Sequence, residues 1–290
     1  MTDPAGSRPA REAAMREWTL ESTVPIADGV EIPILGLGVY QSRPGRETYD
    51  AVRTALEVGY RHVDTARAYG NERDVGKAIR ESGLPRDRVF VTTKLWNADH
   101  GYDSTLRACD GSLARLGMDR VDLYLVHWPV EGLRGETWRA MEKIRADGKA
   151  RAIGVSNYTR RHLEELLRTA KVPPAIDQVE FHPFLFQREL LAFCHERNIR
   201  LEGYAPLVKA QRLDHPVVAR IAGRHGKSPA QVLVRWCIEH EVVVIPKSVR
   251  PERIRENAEV FDFALDAQDL AALDALDEGY RTSWDPTPVP

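Results

Sequence analysis

The sequence predicts an α/β fold, a closed (β/α)8 barrel, on three observations: eight short β-rich runs, amphipathic stretches between them, and no glycine-rich nucleotide loop at the first turn. The runs are IPILGLG, YRHVDT, RVFVTTKL, VDLYLVH, ARAIGVS, AIDQVEF, IRLEGYA and VVVIPKS. Their nearly continuous apolar character implies burial on both faces. Eight such strands, each followed by a helix, lose their open edges by closing into a TIM barrel. Ahead of the barrel, VPIADGVEIPIL carries an Asp28-Gly29 turn between apolar runs and reads as a β-hairpin capping the barrel bottom. The intervening helices show in Leu106, Cys109, Leu113 and Leu116, in Leu163, Leu166 and Leu167, and in Val232, Leu233, Trp236 and Cys237, which recur at helical steps. A doubly wound open sheet has the same alternation. Its signature is missing, because Gly36-Leu37-Gly38-Val39-Tyr40-Gln41 lacks the third glycine of GxGxxG and no P-loop is present.

Residues 1–17, MTDPAGSRPAREAAMRE, mix Pro, Gly, Ala and charge without an apolar face and read as a disordered extension, with Met15 an alternative start. Residues 18–290 are then one barrel. Hydrophobic residues make up 43% and charged residues 29%, with a net charge of −2. That balance speaks against a disordered chain and against a nucleic-acid surface. Cys109, Cys194 and Cys237 are odd in number and lie in apolar helical patterns, which suits buried, reduced thiols rather than a disulfide frame. No apolar run approaches the roughly 18 residues of a membrane span, and the N-terminus lacks a signal-like apolar core. A cytoplasmic monomer, with no membrane and no metal, is the expectation.

Four residues fit for proton or hydride chemistry stand at or just after successive strand ends: Asp64 and Tyr69 in GYRHVDTARAYGNE, Lys94 in VFVTTKLW and His127 in VDLYLVHWP. In a barrel these ends converge on one mouth. A phenol, an ammonium, a carboxylate and an imidazole together are the parts of a carbonyl reductase. Tyr69 is the natural general acid. A free phenol, with a pKa of about 10, is a poor donor at neutral pH unless a cation favours phenolate, and Lys94 is expected to supply that cation. Asp64 pairs with Lys94, while His127 orients the substrate carbonyl. Singly, each has an ordinary structural reading, as packing, a buried ion pair or a core histidine. His62 and His182 are read as structural.

From about Thr23 to Asp277 the chain resembles the aldo-keto reductases, a resemblance carried by those segments and by GKARAIGVSNY, QVEFHP, GYAPL and IPKSVRPERIREN. The resemblance implies the same four catalytic roles for Asp64, Tyr69, Lys94 and His127. Hydride chemistry needs a donor. Without a metal-spaced cluster or a flavin signature, a nicotinamide is expected. The resemblance implies that Ser156, Asn157 and Gln178 hold its carboxamide and that Tyr204 stacks on its ring, with Gly38, Val39, Tyr40, Asp64, Pro206 and Leu207 also at the cofactor. It further implies that Lys247, Ser248 and Arg253 grip an adenosine 2′-phosphate, with Val249, Glu256 and Asn257 around the adenine end. NADPH is therefore expected over NADH.

Tyr40, Trp96 and Trp128, with His127, are expected to form an aromatic-walled pocket for an aldehyde or ketone. Three connections look short: PVEGLRGE, LVKAQRLDH and the tail ending in YRTSWDPTPVP. An open site should follow, similar to the bacterial branch of the family associated with diketo-sugar-acid reduction. Trp284 either folds over the mouth or packs on the barrel exterior. Two other classes stay open: a barrel glycosidase using Asp64 and Glu180, and a nicotinamide-binding scaffold of the same fold without useful catalysis.

Overall fold

Apolar residues alternate along Thr23–Ala27 (β1) and Val30–Pro33 (β2), and these pair antiparallel across Asp28 and Gly29, whose φ of 69° meets the left-handed demand of the turn. The structure, a computed structural model, describes residues 17–290. The expected extension over residues 1–17 lies, apart from Glu17, outside the described residues. Val24, Ile26, Val30 and Ile32 bury one face of the hairpin, with Trp18 in the same core. The Gly29 carbonyl accepts from Arg151 at the start of a barrel strand, so the hairpin closes the bottom.

Eight parallel strands follow: Leu37–Gly38 (β3), His62–Asp64 (β4), Phe90–Leu95 (β5), Val121–Val126 (β6), Ala150–Ser156 (β7), Ile176–Glu180 (β8), Arg200–Tyr204 (β9) and Val243–Val244 (β10). Each pairs in parallel with the next in chain order. The first and last then meet. Gly36 N–H donates to Val244 O at 2.9 Å, Val244 N–H to Ile34 O at 2.9 Å and Gly38 N–H to Pro246 O at 3.3 Å, which closes the barrel. The first expected strand, IPILGLG, is divided: Ile32 and Pro33 finish the hairpin, and only its later part enters the barrel.

The helices that follow the strands are Arg46–Val58 (α1), Glu72–Arg80 (α2), Tyr102–Leu116 (α3), Arg134–Ala146 (α4), Arg160–Leu167 (α5), Arg188–Glu196 (α6), Pro229–Glu239 (α8) and Pro251–Ala258 (α9). Two more, Pro216–His225 (α7) and Ala267–Asp274 (α10), lie beyond the one-helix-per-strand expectation and pack on each other. The expected apolar faces are buried: Cys109, Leu113 and Leu116 in α3, and Val232, Leu233, Trp236 and Cys237 in α8. A capping box starts α8, where Ser228 Oγ accepts from Gln231 N–H and Gln231 Oε1 accepts from Ser228 N–H, with Pro229 at the first helical position. At Gly76 a Cβ would sit 1.9 Å from Leu116 O, so α2 and α3 touch backbone to backbone. All three cysteines are free and buried. Among the described residues no helix is long and apolar enough to cross a membrane.

Candidate active site

The carboxyl ends of β4 and β6 deliver Asp64 and His127 to one cavity of about 1140 Å³, β5 sets Lys94 behind its wall against Asp64, and Tyr69 arrives on a single helical turn, Arg67–Tyr69, closed by left-handed Gly70. Lys94 is wholly buried. Its ammonium donates to both Asp64 oxygens at 2.6 and 2.7 Å and to Thr65 O at 2.9 Å, and it stands 3.5 Å from Tyr69 Oη. The expected acid is therefore beside the expected cation. The electrostatics differ from expectation, however. Burial pushes the Tyr69 phenol well above its ordinary pKa, and the Asp64 charge pushes the same way. With both Asp64 oxygens clamped on it, the ammonium does not reverse this net rise in the resting site, where the sequence suggested a phenol made more acidic. Tyr69 is a fully protonated donor. That suffices for protonating an alkoxide, which is a stronger base than a phenolate.

His127 is held well below its ordinary pKa by burial and then by the Lys94 charge, leaving a neutral imidazole with one N–H to donate. Its Nδ1 has no hydrogen-bond partner among the described residues. The ring lies edge-on to Tyr69 at 5.7 Å and to Trp96 at 5.3 Å, and stacks on Trp128 at 6.4 Å between centroids. Tyr40 leans on Tyr69 at 5.1 Å. Tyr40, Trp96 and Trp128 thus surround the mouth.

A polar cluster faces this wall. Ser156 Oγ donates to Gln178 O at 2.8 Å, Asn157 Nδ2 donates to His127 O at 2.9 Å and to Ser156 Oγ at 3.0 Å, and Tyr204 Oη donates to Asn157 Oδ1 at 2.8 Å. Asn157 holds a left-handed φ of 63°. Gly38, Tyr40, Asp64, Pro206, Leu207 and Lys247 line the same cavity. Val39 does not. Its side chain is in the core, its N–H donates to Asp64 O and its carbonyl accepts from Asn71 and Ser42, which leaves nothing for a cofactor. Ser248, Val249, Arg253, Glu256 and Asn257 also lie off the cavity. Ser248 Oγ accepts from Arg250 N–H just before α9, Val249 packs on the core and Asn257 is buried. Lys247 and Arg253 are exposed, and neither has a carboxylate within ion-pair distance among the described residues.

The tail reaches the mouth of the cavity rather than the barrel exterior. Glu180, buried at the end of β8, accepts at Oε1 from Thr282 N–H (2.7 Å) and Thr282 Oγ1, and at Oε2 from Ser283 N–H (3.1 Å). Lys209 grips Thr282 O. Trp284 is thereby laid on Trp128, with ring centroids 4.7 Å apart, as part of the mouth. The loop beneath it is itself unusual, since Ala205, Val208, Lys209 and Ala210 all hold positive φ. With Asp64 clamped by Lys94 and Glu180 by the tail, neither carboxyl is free to act as one of a glycosidase pair.

Gln41, Arg67, Asn97, Lys209, Thr282 and Ser283 also line the cavity and went unnoticed in the sequence. Gln41, Arg67, Asn97 and Lys209 sit in connections after strand ends and Thr282 and Ser283 in the tail after α10, and position was the only signal they carried.

A family model described as the aldo/keto reductase family matches residues 34–278. The chain is 48% identical to a glyoxal reductase of Bacillus subtilis over 92% of this chain and 97% of that protein. It is 47% identical to a 9,11-endoperoxide prostaglandin H2 reductase of Trypanosoma cruzi, over 91% and 94%. A solved aldo-keto reductase from a Medee basin deep-sea metagenome library superposes with a TM-score of 0.89 at 45% identity, covering 93% of this chain and all of that one.

Proposed function

Because the chain belongs to the aldo/keto reductase family, we propose that it is an NADPH-dependent reductase of small activated aldehydes and 1,2-dicarbonyls, with Tyr69 as proton donor. The observation that carries this reading is the Asp64–Lys94 ion pair placed 3.5 Å from the Tyr69 hydroxyl and beside His127 at the cavity mouth. A reduced nicotinamide, when bound, supplies the hydride. The residues supply the rest. His127 donates its N–H to the carbonyl oxygen and holds it toward Tyr69, which gives up its proton as negative charge develops there. Lys94, held by Asp64, stabilises the phenolate left behind.

The donor set fits a nicotinamide dinucleotide. The Gln178 amide nitrogen is committed to two carboxyl groups, at 2.9 Å each, so its carbonyl oxygen is what it offers the cavity. Ser156, Asn157 and the ring of Tyr204 stand around it. At the far end Lys247 and Arg253 have no carboxylate within ion-pair distance among the described residues, the charge of Glu47 reaching Lys247 only from further away, and a 2′-phosphate would give both a partner. Arg253→Ala is expected to weaken NADPH binding by about 1.5–3 kcal/mol, with little change for NADH. Equal losses for both cofactors in a fluorescence titration would remove Arg253 from the phosphate.

The walls beside His127 are aromatic, from Tyr40, Trp96 and Trp128, and electron-poor carbonyls, which need least help to accept hydride, should react best there. Similarity to a glyoxal reductase supports the same class. The first experiment follows nicotinamide absorbance across glyoxal, methylglyoxal, simple aldehydes and keto acids, and a protein that binds NADPH but oxidises it with none of them is not a reductase of this kind. Trp284 should favour larger aldehydes by covering them. Trp284→Ala, which leaves the bonds of Glu180 in place, should cost a large aldehyde about 0.5–1.5 kcal/mol in kcat/KM relative to a small one. An unchanged ratio would exclude the tail from substrate choice.

A further inference from the structure

One layer below the reacting groups, the barrel interior holds polar side chains that the reaction above does not use. His62, Thr92 and Glu202 are wholly buried, and each stands two residues before a site residue of its own strand, Asp64, Lys94 and Tyr204. Strand alternation therefore aims them into the same interior. Room for them comes from Gly36, where a Cβ would lie 2.4 Å from His62 Nδ1.

Among the described residues Glu202 has no Lys or Arg within ion-pair distance. Its Oε1 has no hydrogen bond and stands 3.6 Å from His62 Nε2, and burial holds that imidazole down at about 3, hence neutral. Its Oε2 accepts from Gln178 Nε2 at 2.9 Å, and the same nitrogen donates to Asp64 Oδ2 at 2.9 Å. One amide group thus bridges two buried carboxyl groups, of which only Asp64 has an ammonium. Two like charges this close do not both persist without a second cation. Burial and the Asp64 charge therefore favour the protonated form of Glu202.

We propose that Glu202 is a positioning residue of the reductase site: as a neutral acid beneath the Asp64–Lys94 pair, it holds the Gln178 amide with its nitrogen inward and its carbonyl oxygen toward the cofactor. It also keeps the pair's surroundings at a single negative charge. The role rests on the reductase reading. The charged and titratable groups that face Glu202 are Asp64 and His62 from β4, Lys94 from β5 and Tyr69 from the turn after β4. Burial, and then the Asp64 charge, push the Glu202 carboxyl up to about 8. Below that pH it is neutral. Above it, a second negative charge arises under the pair and makes Tyr69 a weaker acid.

The single-turnover rate of glyoxal reduction should therefore fall as pH rises through about 8 in the wild type, and Glu202→Gln, which cannot ionise, should lose that alkaline limb. Glu202→Leu removes one of the two acceptors that orient Gln178, and should weaken NADPH binding roughly fivefold. It should leave unchanged the binding of 2′,5′-ADP, a fragment with the phosphate but no nicotinamide. An alkaline limb that persists in Glu202→Gln, or equal loss of NADPH and the fragment in Glu202→Leu, would overturn the proposal. A wild type that reduces no carbonyl would overturn the reductase reading instead, and the binding comparison would still decide the role of Glu202.

Discussion

Tyr69→Phe is expected to slow carbonyl reduction by about 10²–10⁴-fold, the usual worth of a positioned general acid, while NADPH binds as before. The hydroxyl acts only on charge that develops in the transition state, so its loss should appear in the rate and not in cofactor affinity. The ring would stay where it is, since Tyr69 packs against Tyr40 at 5.1 Å and lies edge-on to His127 at 5.7 Å, contacts that phenylalanine keeps. Stopped-flow measurement of NADPH oxidation beside a binding titration separates the two quantities. Near-normal turnover would take Tyr69 out of the mechanism, whatever the family.

Lys94→Met carries a double expectation, because the proposed reaction and the fold both draw on the ammonium. Without it the phenolate left by Tyr69 has no cation, and reduction should fall as severely as in Tyr69→Phe. The carboxyl of Asp64 also loses its ionic partner in a wholly buried place, keeping only the Gln178 amide. Breaking a buried pair from one side costs about 3–5 kcal/mol. The cost should depend on pH in a definite direction. Burial raises the Asp64 carboxyl, and in the wild type the ammonium pulls it back. With the ammonium gone the folded pKa lies further above the unfolded one, so the protonated form fits the fold below the unfolded pKa and stability is lost as pH rises through the folded pKa. The variant should melt closest to the wild type in acid and furthest from it at neutral pH. A Lys94→Met protein with unchanged rate and melting behaviour would contradict both roles.

The barrel was legible because its signal is repeated: eight apolar runs, each with its helix, leave few arrangements that bury both faces. The quartet was legible because Asp64, Lys94 and His127 sit at strand ends, which the fold brings together regardless of their distance along the chain. What escaped depends on partners that no pattern announces. Glu180 looked like a spare strand-end carboxylate, yet its oxygens are taken by backbone groups of Thr282 and Ser283, a hundred residues later. Glu202 stood unnoticed beside Tyr204 in GYAPL because a buried neutral acid and a surface glutamate are spelled alike. Val39, placed at the cofactor by the resemblance alone, has its backbone groups bonded within the protein and its side chain in the core. The direction of the Tyr69 shift also escaped, since it turns on the desolvation of a half-buried phenol and on the Asp64 charge beside it.

The seam at which the barrel closes joins its first strand to its last through three backbone hydrogen bonds, between residues 34–38 and 244–246. Every other pairing joins neighbours in the sequence and can form as the chain leaves the ribosome. This one waits for nearly all of it. Ordering so long a loop for so few bonds makes closure the step with the least local reward. The same seam places Gly38 and Lys247 side by side on the wall of the cavity. A dinucleotide that touches both spans the first and last strands, so part of its binding energy acts as a clasp on the circle, and the folded state gains from the ligand in proportion to its occupancy.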